Sequence, residues 1–257
     1  MTLELTSEHT ERFERDGYTI VRGGFDPTEC DHFVDYMSDL QAGRQTVEGF
    51  APRAADDWSR LISRNCHHPA GLAWMLDPRL RQPLRTLLGD EPDGVQSMYF
   101  YTGSEQRRHQ DAFYLPSCMS AWVALGEVGA FNGSIHIQVG SHKGALMEKR
   151  DFRLDDEGNP GPWHGWNQDD AFDVLFERNG FPEIALEASK GDVVFFDGRL
   201  IHRGGPILES GSFRHSWAGH YIPHSYNPWP YEDNPRLRID FDGVCRFTPT
   251  HCQPSSS

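Results

Sequence analysis

The chain of 257 residues carries a formal charge of −14 and is 37% hydrophobic and 12% aromatic. This acidity disfavours nucleic acid as a partner, because no basic stripe offsets repulsion by the phosphate backbone. No apolar run approaches the eighteen or so residues of a membrane-spanning helix, so no membrane association is predicted. The charged opening segment "MTLELTSEHTERFERDG" has no apolar core of the kind found in secretory signals.

Cysteine usage favours a cytoplasmic location, and lysine usage indicates the type of genome. The five cysteines are odd in number and include no C-x-x-C pair, which indicates reduced thiols rather than a disulfide frame or a zinc knuckle. Three lysines stand against 21 arginines, a skew that suggests a GC-rich bacterial genome.

The first 93 residues read as a helical part. Residues 6–16 predict a helix capped by Thr6 or Ser7, and "GYTIVRGGF" predicts a short strand. A second helix is expected over "DPTECDHFVDYMSDLQAG", and a third near residues 69–88, broken at Pro78 and Pro83.

From residue 94 to about 250 the pattern changes to short strands rich in aromatic and β-branched residues, such as "VQSMYFYTG", "MSAWVALGEV" and "DVVFFDG". They predict an antiparallel sandwich or barrel within one domain that spans residues 1–257. Residues 150–182 are polar, rich in Gly and Pro, and carry Trp163 and Trp166. An insert of this length without secondary structure predicts a lid, with a disordered surface excursion as the alternative.

Candidate metal ligands occur in "RRHQDAFYLP", where His109 and Asp111 are two positions apart in a strand-like run. Side chains at i and i+2 of a strand share a face, so both can project into one site. With one further histidine they would form a three-ligand face suited to non-haem Fe(II). By itself, H-x-D is explained more often by a structural His–Asp hydrogen bond. His202, in "GDVVFFDGRLIHRGG", is the candidate third ligand, although a surface histidine at a loop end is an equal alternative.

Arg214 is the candidate anion anchor. A hairpin with its apex near Leu208 would place His202 and Arg214 opposite each other. A buried guanidinium needs an anion, and the far carboxylate of an iron-chelating 2-oxoglutarate molecule would satisfy it. An ion pair to Glu209 or another local acid is the alternative.

Several phrases together resemble the phytanoyl-CoA dioxygenase (PhyH-like) family of Fe(II)/2-oxoglutarate-dependent oxygenases. They are "FERDGYTIVRGGFDPTEC", "HQDAFYLP", "AWVALGEVGAFNGSIHIQVGSHKG", "GDVVFFDGRLIHRGGP" and "FRHSW". The resemblance implies a double-stranded β-helix, or jelly-roll, core with flanking helices. It also implies Fe(II), 2-oxoglutarate and O2 as cofactor and cosubstrates.

The resemblance carries site roles to particular residues. It implies His109, Asp111 and His202 as iron ligands and Arg214 as the 2-oxoglutarate anchor. Trp122 and, on the preceding strand, Gln96 or Met98 are expected beside the cosubstrate. Several relatives have a serine two residues after the distal histidine, but this chain has Gly204 there, so that contact is not expected.

The resemblance implies an oxidoreductase that most simply hydroxylates an unactivated carbon of a small polar molecule, as in bacterial antibiotic biosynthesis. Asp111 speaks against halogenation, because halogenating relatives carry a small residue at that position. Desaturation, cyclisation and epimerisation stay open, as does the oligomeric state. A non-catalytic jelly-roll binding protein and a cupin-type isomerase are alternatives from other classes.

Aromatic residues supply candidates for the substrate wall, although a core-packing role is the more common fate of each. His220 and His224 follow Arg214 and could reach the pocket mouth. The aromatic candidates are Tyr99, Tyr101, Phe113, Tyr114, Trp163, Trp166 and Trp217.

Overall fold

The computed structural model describes residues 3–47, 60–63, 69–103, 105–209, 211–226 and 237–247. The N-terminal helices are α1 (Ser7–Asp16), α2 (Pro27–Gln41), α3 (Pro69–Met75) and α4 (Pro78–Leu88), and the insert carries α5 (Gln168–Asn179). The strands are β1 (Tyr18–Val21), β2 (Arg60–Ser63), β3 (Pro92–Phe100), β4 (Met119–Ala124), β5 (Ile135–Gln138), β6 (Glu183–Ala185), β7 (Val193–Asp197), β8 (His202–Gly204), β9 (Ser216–Pro223), β10 (Leu237–Asp240) and β11 (Cys245–Phe247).

Local sequence signals set the helix ends. Thr6 caps α1 and accepts a hydrogen bond from the backbone N–H of His9, and Gly17 closes that helix in the left-handed conformation. Asp26 caps α2 in a reciprocal capping box with Glu29. These signals confirm the first two predicted helices.

The third predicted helix is only partly right. The predicted helix is interrupted between α3 and α4, where Asp77 caps α4 and Pro78 occupies its first turn. Pro83, however, lies inside α4 and does not end it. Pro83 is buried with Leu80 and Leu84, and this packing supports the helix despite the missing N–H donor.

Two antiparallel sheets form the jelly-roll core. The large sheet has the order β1-β7-β4-β9-β3-β10-β11, with β2 also paired to β3, and the small sheet has the order β6-β5-β8. One apolar cluster, which includes Met98, Trp122 and Phe196, lies on the inner face of the large sheet. A second, which includes Phe33, Leu84 and Trp217, packs the outer face of that sheet against the helices. Within the described ranges, no helix is both long and apolar enough to cross a bilayer.

The insert at residues 150–182 contains regular structure that the sequence reading missed. A 3-10 helix covers Lys149–Phe152, and α5 is capped by Asn167. Ala171, Phe172 and Leu175 of α5 are buried in a third apolar cluster together with Trp163. Because this apolar face is short and lies among acidic residues, its helical period is weak in the sequence.

Candidate active site

Three side chains from two separated segments meet in the interior of the jelly roll. One ligand atom from each of His109, Asp111 and His202 lies within 4.8 Å of the other two, and all three residues are buried. His109 and His202 form an isolated antiparallel bridge in which each backbone N–H donates to the other's carbonyl at 3.0 Å. This backbone bridge sets the two imidazoles side by side, with ring centroids 4.2 Å apart.

The expected strand geometry for His109 and Asp111 holds only in part. Gln110 between them has an extended backbone, but Asp111 begins a 3-10 helix that runs to Phe113. The backbone N–H groups of Tyr114 and Leu115 both donate to the Asp111 carbonyl at 2.9 Å. The strand-like run therefore ends at Asp111, while the extended Gln110 lets the side chains on either side of it share one site.

Each imidazole of the pair is oriented by a hydrogen bond to the backbone. Nδ1 of His109 donates to the carbonyl of Arg107 at 2.8 Å, and Nδ1 of His202 donates to the carbonyl of Leu200 at 2.9 Å. A carbonyl can only accept, so both rings carry their proton on Nδ1 and present the Nε2 lone pair. Burial and the neighbouring His109 lower the pKa of His202 to about 4, so this ring is neutral at neutral pH.

The two carboxylate oxygens of Asp111 have different surroundings. Oδ1 lies 3.5 Å from Nε2 of His109 and 3.6 Å from Nε2 of His202. Oδ2 accepts a hydrogen bond from Oγ of Ser120 at 2.9 Å and lies 3.3 Å from Nε2 of His220. Burial by itself would raise the pKa of Asp111, but the neighbouring imidazoles outweigh it and hold the pKa well below its usual range.

Arg214 is a buried cation that lacks a counter-charge among the described residues. Its side chain is 1% exposed, and its Nε and Nη1 atoms have no hydrogen-bond partner there. The guanidinium lies 5.4 Å from the ring centre of Phe100 and 5.8 Å from that of Trp122. Burial lowers the pKa of Arg214 to about 10, so it is still charged at neutral pH. The ion pair with Glu209 that the sequence left open is not formed.

The predicted hairpin between His202 and Arg214 is also wrong. His202 begins β8 in the small sheet and pairs with Ile137, whereas Arg214 lies two residues before β9 of the large sheet. The two residues belong to opposing layers and line the same cavity. Their proximity follows from the packing of two sheets and not from a local turn.

The cavity has a volume of about 350 Å³, which is within the range of small-molecule sites. It contains the three candidate ligands, Arg214, and several further polar side chains between apolar walls. Its lining residues besides those four are Gln96, Met98, Phe100, Gln106, Tyr114, Leu115, Trp122, Ile135, Phe196, Arg203, Gly204, Ala218 and His220.

The expected cosubstrate neighbours lie in this cavity. Gln96, Met98 and Trp122 all line it, and the buried Nε1 of Trp122 has no hydrogen-bond partner among the described residues. Gly204 lines it too, but a side chain there has no room. A Cβ atom on Gly204 would lie 2.7 Å from the backbone nitrogens of Glu105 and Gln106. The loop before His109 therefore fills the space that a side chain at position 204 would need.

The aromatic candidates divide into three groups. Tyr114 lines the cavity and contacts Gln168 of the insert. Phe113 and Trp163 are buried under α5, and Trp166, which is 47% exposed, packs edge-on against Trp163.

The third group is Tyr99, Tyr101 and Trp217, which lie on the opposite face of the large sheet in the helix-facing core. They do not line the cavity. Strand alternation separates them from Met98 and Phe100 on β3 and from Ala218 on β9.

Sequence reasoning gave no role to three polar residues of the site. Ser120 was not considered, although its position two residues before Trp122 on β4 puts it on the same face. Gln106 lines the cavity with its Nε2 atom 3.1 Å from Nε2 of His109. Arg203 lines it as well, with its guanidinium held by Glu183. The i, i+2 spacing of Ser120 and Trp122 on one strand could have predicted that Ser120 faces the site. The sequence around Gln106 and Arg203 contains no comparable pattern.

The residues present fit an iron(II) ion with a dicarboxylate cosubstrate. Two neutral imidazole nitrogens and one carboxylate oxygen are the donor set of non-haem iron(II) oxygenases. The partnerless nitrogens of Arg214 are a ready partner for a carboxylate on the same cavity wall.

The model of the family described as phytanoyl-CoA dioxygenase (PhyH) matches residues 13–216. The chain belongs to the PhyH family. A probable phytanoyl-CoA dioxygenase of Caenorhabditis elegans is 23% identical over 244 residues, 84% of this chain and 75% of that protein. Phytanoyl-CoA dioxygenase 1 of Oryza sativa subsp. japonica is 31% identical over 141 residues, 51% of this chain and 45% of that protein.

Solved structures share the fold of this PhyH chain at low identity. The carbocyclase SnoK from nogalamycin biosynthesis has a TM-score of 0.66 and 20% identity, covering 91% of each chain. EctD from S. alaskensis, solved with 2-oxoglutarate and 5-hydroxyectoine, has a TM-score of 0.63 and 22% identity, covering 86% of this chain and 77% of that one. As a PhyH member with this site, the chain is an Fe(II)/2-oxoglutarate-dependent dioxygenase.

Proposed function

We propose that this PhyH protein hydroxylates an unactivated carbon of a small polar molecule in bacterial secondary metabolism. The observation that supports this most is the pairing, in one cavity, of a buried His–Asp–His face with a buried arginine that has no counter-charge in the described part of the chain. An unpaired buried charge is costly, and a bound carboxylate would offset that cost for Arg214.

In this proposal His109, Asp111 and His202 hold the iron through the Nε2 atoms and a carboxylate oxygen. The hydrogen bonds from both Nδ1 atoms to backbone carbonyls orient the two rings in the metal-free protein. Arg214 would hold the distal carboxylate of 2-oxoglutarate in a charge-assisted hydrogen bond, with Trp122 and Phe100 as the apolar wall beside it. When bound, iron would activate O2, the oxidant, and 2-oxoglutarate would supply two electrons as it is converted to succinate and CO2.

The rest of the chain orients the substrate and excludes water. Ring faces and aliphatic side chains line much of the cavity, whereas Gln106, Tyr114 and Arg203 offer hydrogen bonds. A small polar substrate fits this mixture and the volume of about 350 Å³. The apolar packing of the insert on Phe113 shields the segment that carries Asp111.

Carbocyclisation is the second candidate reaction, favoured by the fold shared with the carbocyclase SnoK. The two reactions share the cofactors and differ in the product. Hydroxylation adds one oxygen atom to the substrate, whereas ring closure removes two hydrogen atoms. The mass of the product therefore separates them.

The decisive test starts with metal-free protein under anaerobic conditions. Addition of Fe(II) and 2-oxoglutarate should give a visible charge-transfer band with the wild type. Asp111→Ala should abolish this band, while Asp155→Ala, in an exposed loop, serves as the matched control. Absence of the band in the wild type would overturn the proposal.

The second stage is a screen of small polar compounds for succinate formation, with mass analysis of each product. Gain of one oxygen atom supports hydroxylation. Loss of two hydrogen atoms supports cyclisation and overturns hydroxylation as the principal reaction.

A further inference from the structure

The register of three strands places Ser120, His220 and Gln96 in one row across the inner face of the large sheet. His220 of β9 pairs with Ser120 of β4 on one side and with Gln96 of β3 on the other. Ser120 is completely buried and His220 is 4% exposed. Residues in register on neighbouring strands have close Cβ atoms, so this row presents adjacent polar groups to the turn that carries Asp111.

Two members of the row meet the same oxygen of Asp111. Oγ of Ser120 donates to Oδ2 at 2.9 Å, and Nε2 of His220 lies 3.3 Å from it. A carboxylate oxygen only accepts, so a hydrogen bond across the 3.3 Å contact would require the proton of His220 on Nε2. This is the opposite tautomer to that of His109 and His202, whose Nδ1 atoms donate to carbonyls.

Occupation of Oδ2 leaves the other oxygen for the metal. Oδ1 is the atom that lies near the Nε2 atoms of His109 and His202. Among the described residues, the group whose ligand atoms are close enough to share one metal ion is His109, Asp111 and His202. His220 is outside this group and lies against the other oxygen, Oδ2. His220 therefore belongs behind the carboxylate rather than beside the metal.

We propose that Ser120 and His220 are positioning residues that restrict Asp111 to one-oxygen coordination of the metal. This inference rests on the function proposed above. A carboxylate that turned to bind through both oxygens would lose the buried hydrogen bond from Ser120 and the close contact with His220, and it would occupy a further coordination position. The row on the large sheet thereby keeps positions open for the two oxygens of 2-oxoglutarate and for O2.

The test uses full-length variants loaded with Co(II), whose visible absorption reports the coordination number, together with equilibrium dialysis for metal affinity. His220→Phe keeps a ring without the donor, and His220→Gln restores an amide N–H near the position of Nε2. Ser120→Ala removes the second donor. His142→Phe and Ser134→Ala are matched controls, since both residues are buried and bond to distant backbone carbonyls.

His220→Phe and Ser120→Ala should each weaken Co(II) binding by roughly 10- to 100-fold, the usual cost of losing an outer partner of a metal ligand. Their spectra should shift towards a higher coordination number, and His220→Gln should recover most of the affinity and the wild-type spectrum. The matched controls should leave both unchanged.

Wild-type affinity and spectrum in both His220→Phe and Ser120→Ala would overturn the positioning role. Equal losses in His220→Phe and His220→Gln would also overturn it for His220, because packing would then be the cause. Failure of the wild type itself to bind Co(II) would overturn the proposed function, a result that is distinct from these two.

Discussion

The two faces of the large sheet are formed by the same strands but differ in what their side chains contact: one faces the helices and the other faces the cavity. On the helix-facing side, Tyr101 donates its hydroxyl to the carbonyl of Met37, and Tyr221 donates to that of Met75. On the cavity side, Arg214 and Trp122 have buried nitrogens without a partner among the described residues. Nε1 of Trp217 on the helix-facing side also lacks a partner among the described residues, so the feature that distinguishes the cavity side is the buried charge of Arg214. We expect residues of the helix-facing side to stabilise the fold and residues of the cavity side to bind.

Replacement of Trp217 by alanine should give the largest effect, and on stability alone. Trp217 is 1% exposed and lies 6.0 Å, centre to centre, from the ring of Trp74 in the helix-facing core. Truncation of a buried tryptophan costs about 3–5 kcal/mol in the free energy of unfolding. Denaturant unfolding measures this loss, and Trp166→Ala, at an exposed site, is the control with little expected change. An unaltered midpoint for Trp217→Ala would contradict the assignment of this face.

Arg214→Met should give the next largest effect: it should weaken 2-oxoglutarate binding and raise the stability of the ligand-free protein. Loss of the charged partner should weaken 2-oxoglutarate binding by about 2–5 kcal/mol, which is at least roughly 30-fold. The same change removes an uncompensated buried cation, so the ligand-free protein should melt at a higher temperature. Calorimetric titration and thermal unfolding of the metal-loaded and ligand-free forms measure the two effects. A variant that melts lower and binds normally would place Arg214 with the structural face.

Tyr101→Phe should have a smaller effect that is confined to the fold. It removes the hydrogen bond to the carbonyl of Met37 and should cost about 1 kcal/mol of unfolding free energy. The 2-oxoglutarate affinity should not change, because the side chain lies outside the cavity. Tyr114→Phe is the matched variant in the cavity wall, and its effect should appear in substrate binding instead. An altered 2-oxoglutarate affinity in Tyr101→Phe would break the division between the faces.

The ion pairs that tie α5 to the segment before His109 should give the smallest effects. Arg107 and Arg108 each lie 2.9 Å from a carboxylate oxygen of Asp173, and Arg108 also lies 3.4 Å from Glu183. Partly exposed pairs of this kind contribute about 0–1 kcal/mol each. Hydrogen exchange in α5 should therefore rise in high salt, while exchange in β9 should not. A uniform response in both elements would show that the insert and the sheet open together.

Lowering the pH should weaken the ion pairs of Asp173 and Glu183 and so destabilise the contacts of the insert. Burial opposes ionisation of Asp173, but the hydrogen bonds from Arg108 and Arg107 outweigh it and lower the pKa of this carboxyl. The hydrogen bond from Arg203 is the main cause of the lowered pKa of Glu183. Carboxyl groups with lowered pKa values contribute stability above their ordinary pKa and lose it as the pH falls through the lowered value. Asp173→Asn should make exchange in α5 less dependent on pH over this acidic range.

The sequence by itself determined the local structure and the chemical types of the site. Thr6 and Asp26 carry the side-chain oxygens that cap a helix, so α1 and α2 could be predicted from short-range signals. The family phrases named the donor set of two imidazoles and a carboxylate, and they named the arginine that lies in the same cavity. These features depend on residue type and spacing, which a sequence records directly.

Only the tertiary structure decided which face of each strand holds the site. Nearly every residue of β3 is buried, so the hydrophobic pattern of this strand does not show which side chains face the cavity and which face the helices. The register shift between Gly94 and Gln96 also changes which residues share a face. The meeting of His202 and Arg214 in one cavity and the row through Ser120 and His220 are contacts between distant segments. Such contacts are fixed by the packing of layers, which local preferences do not encode.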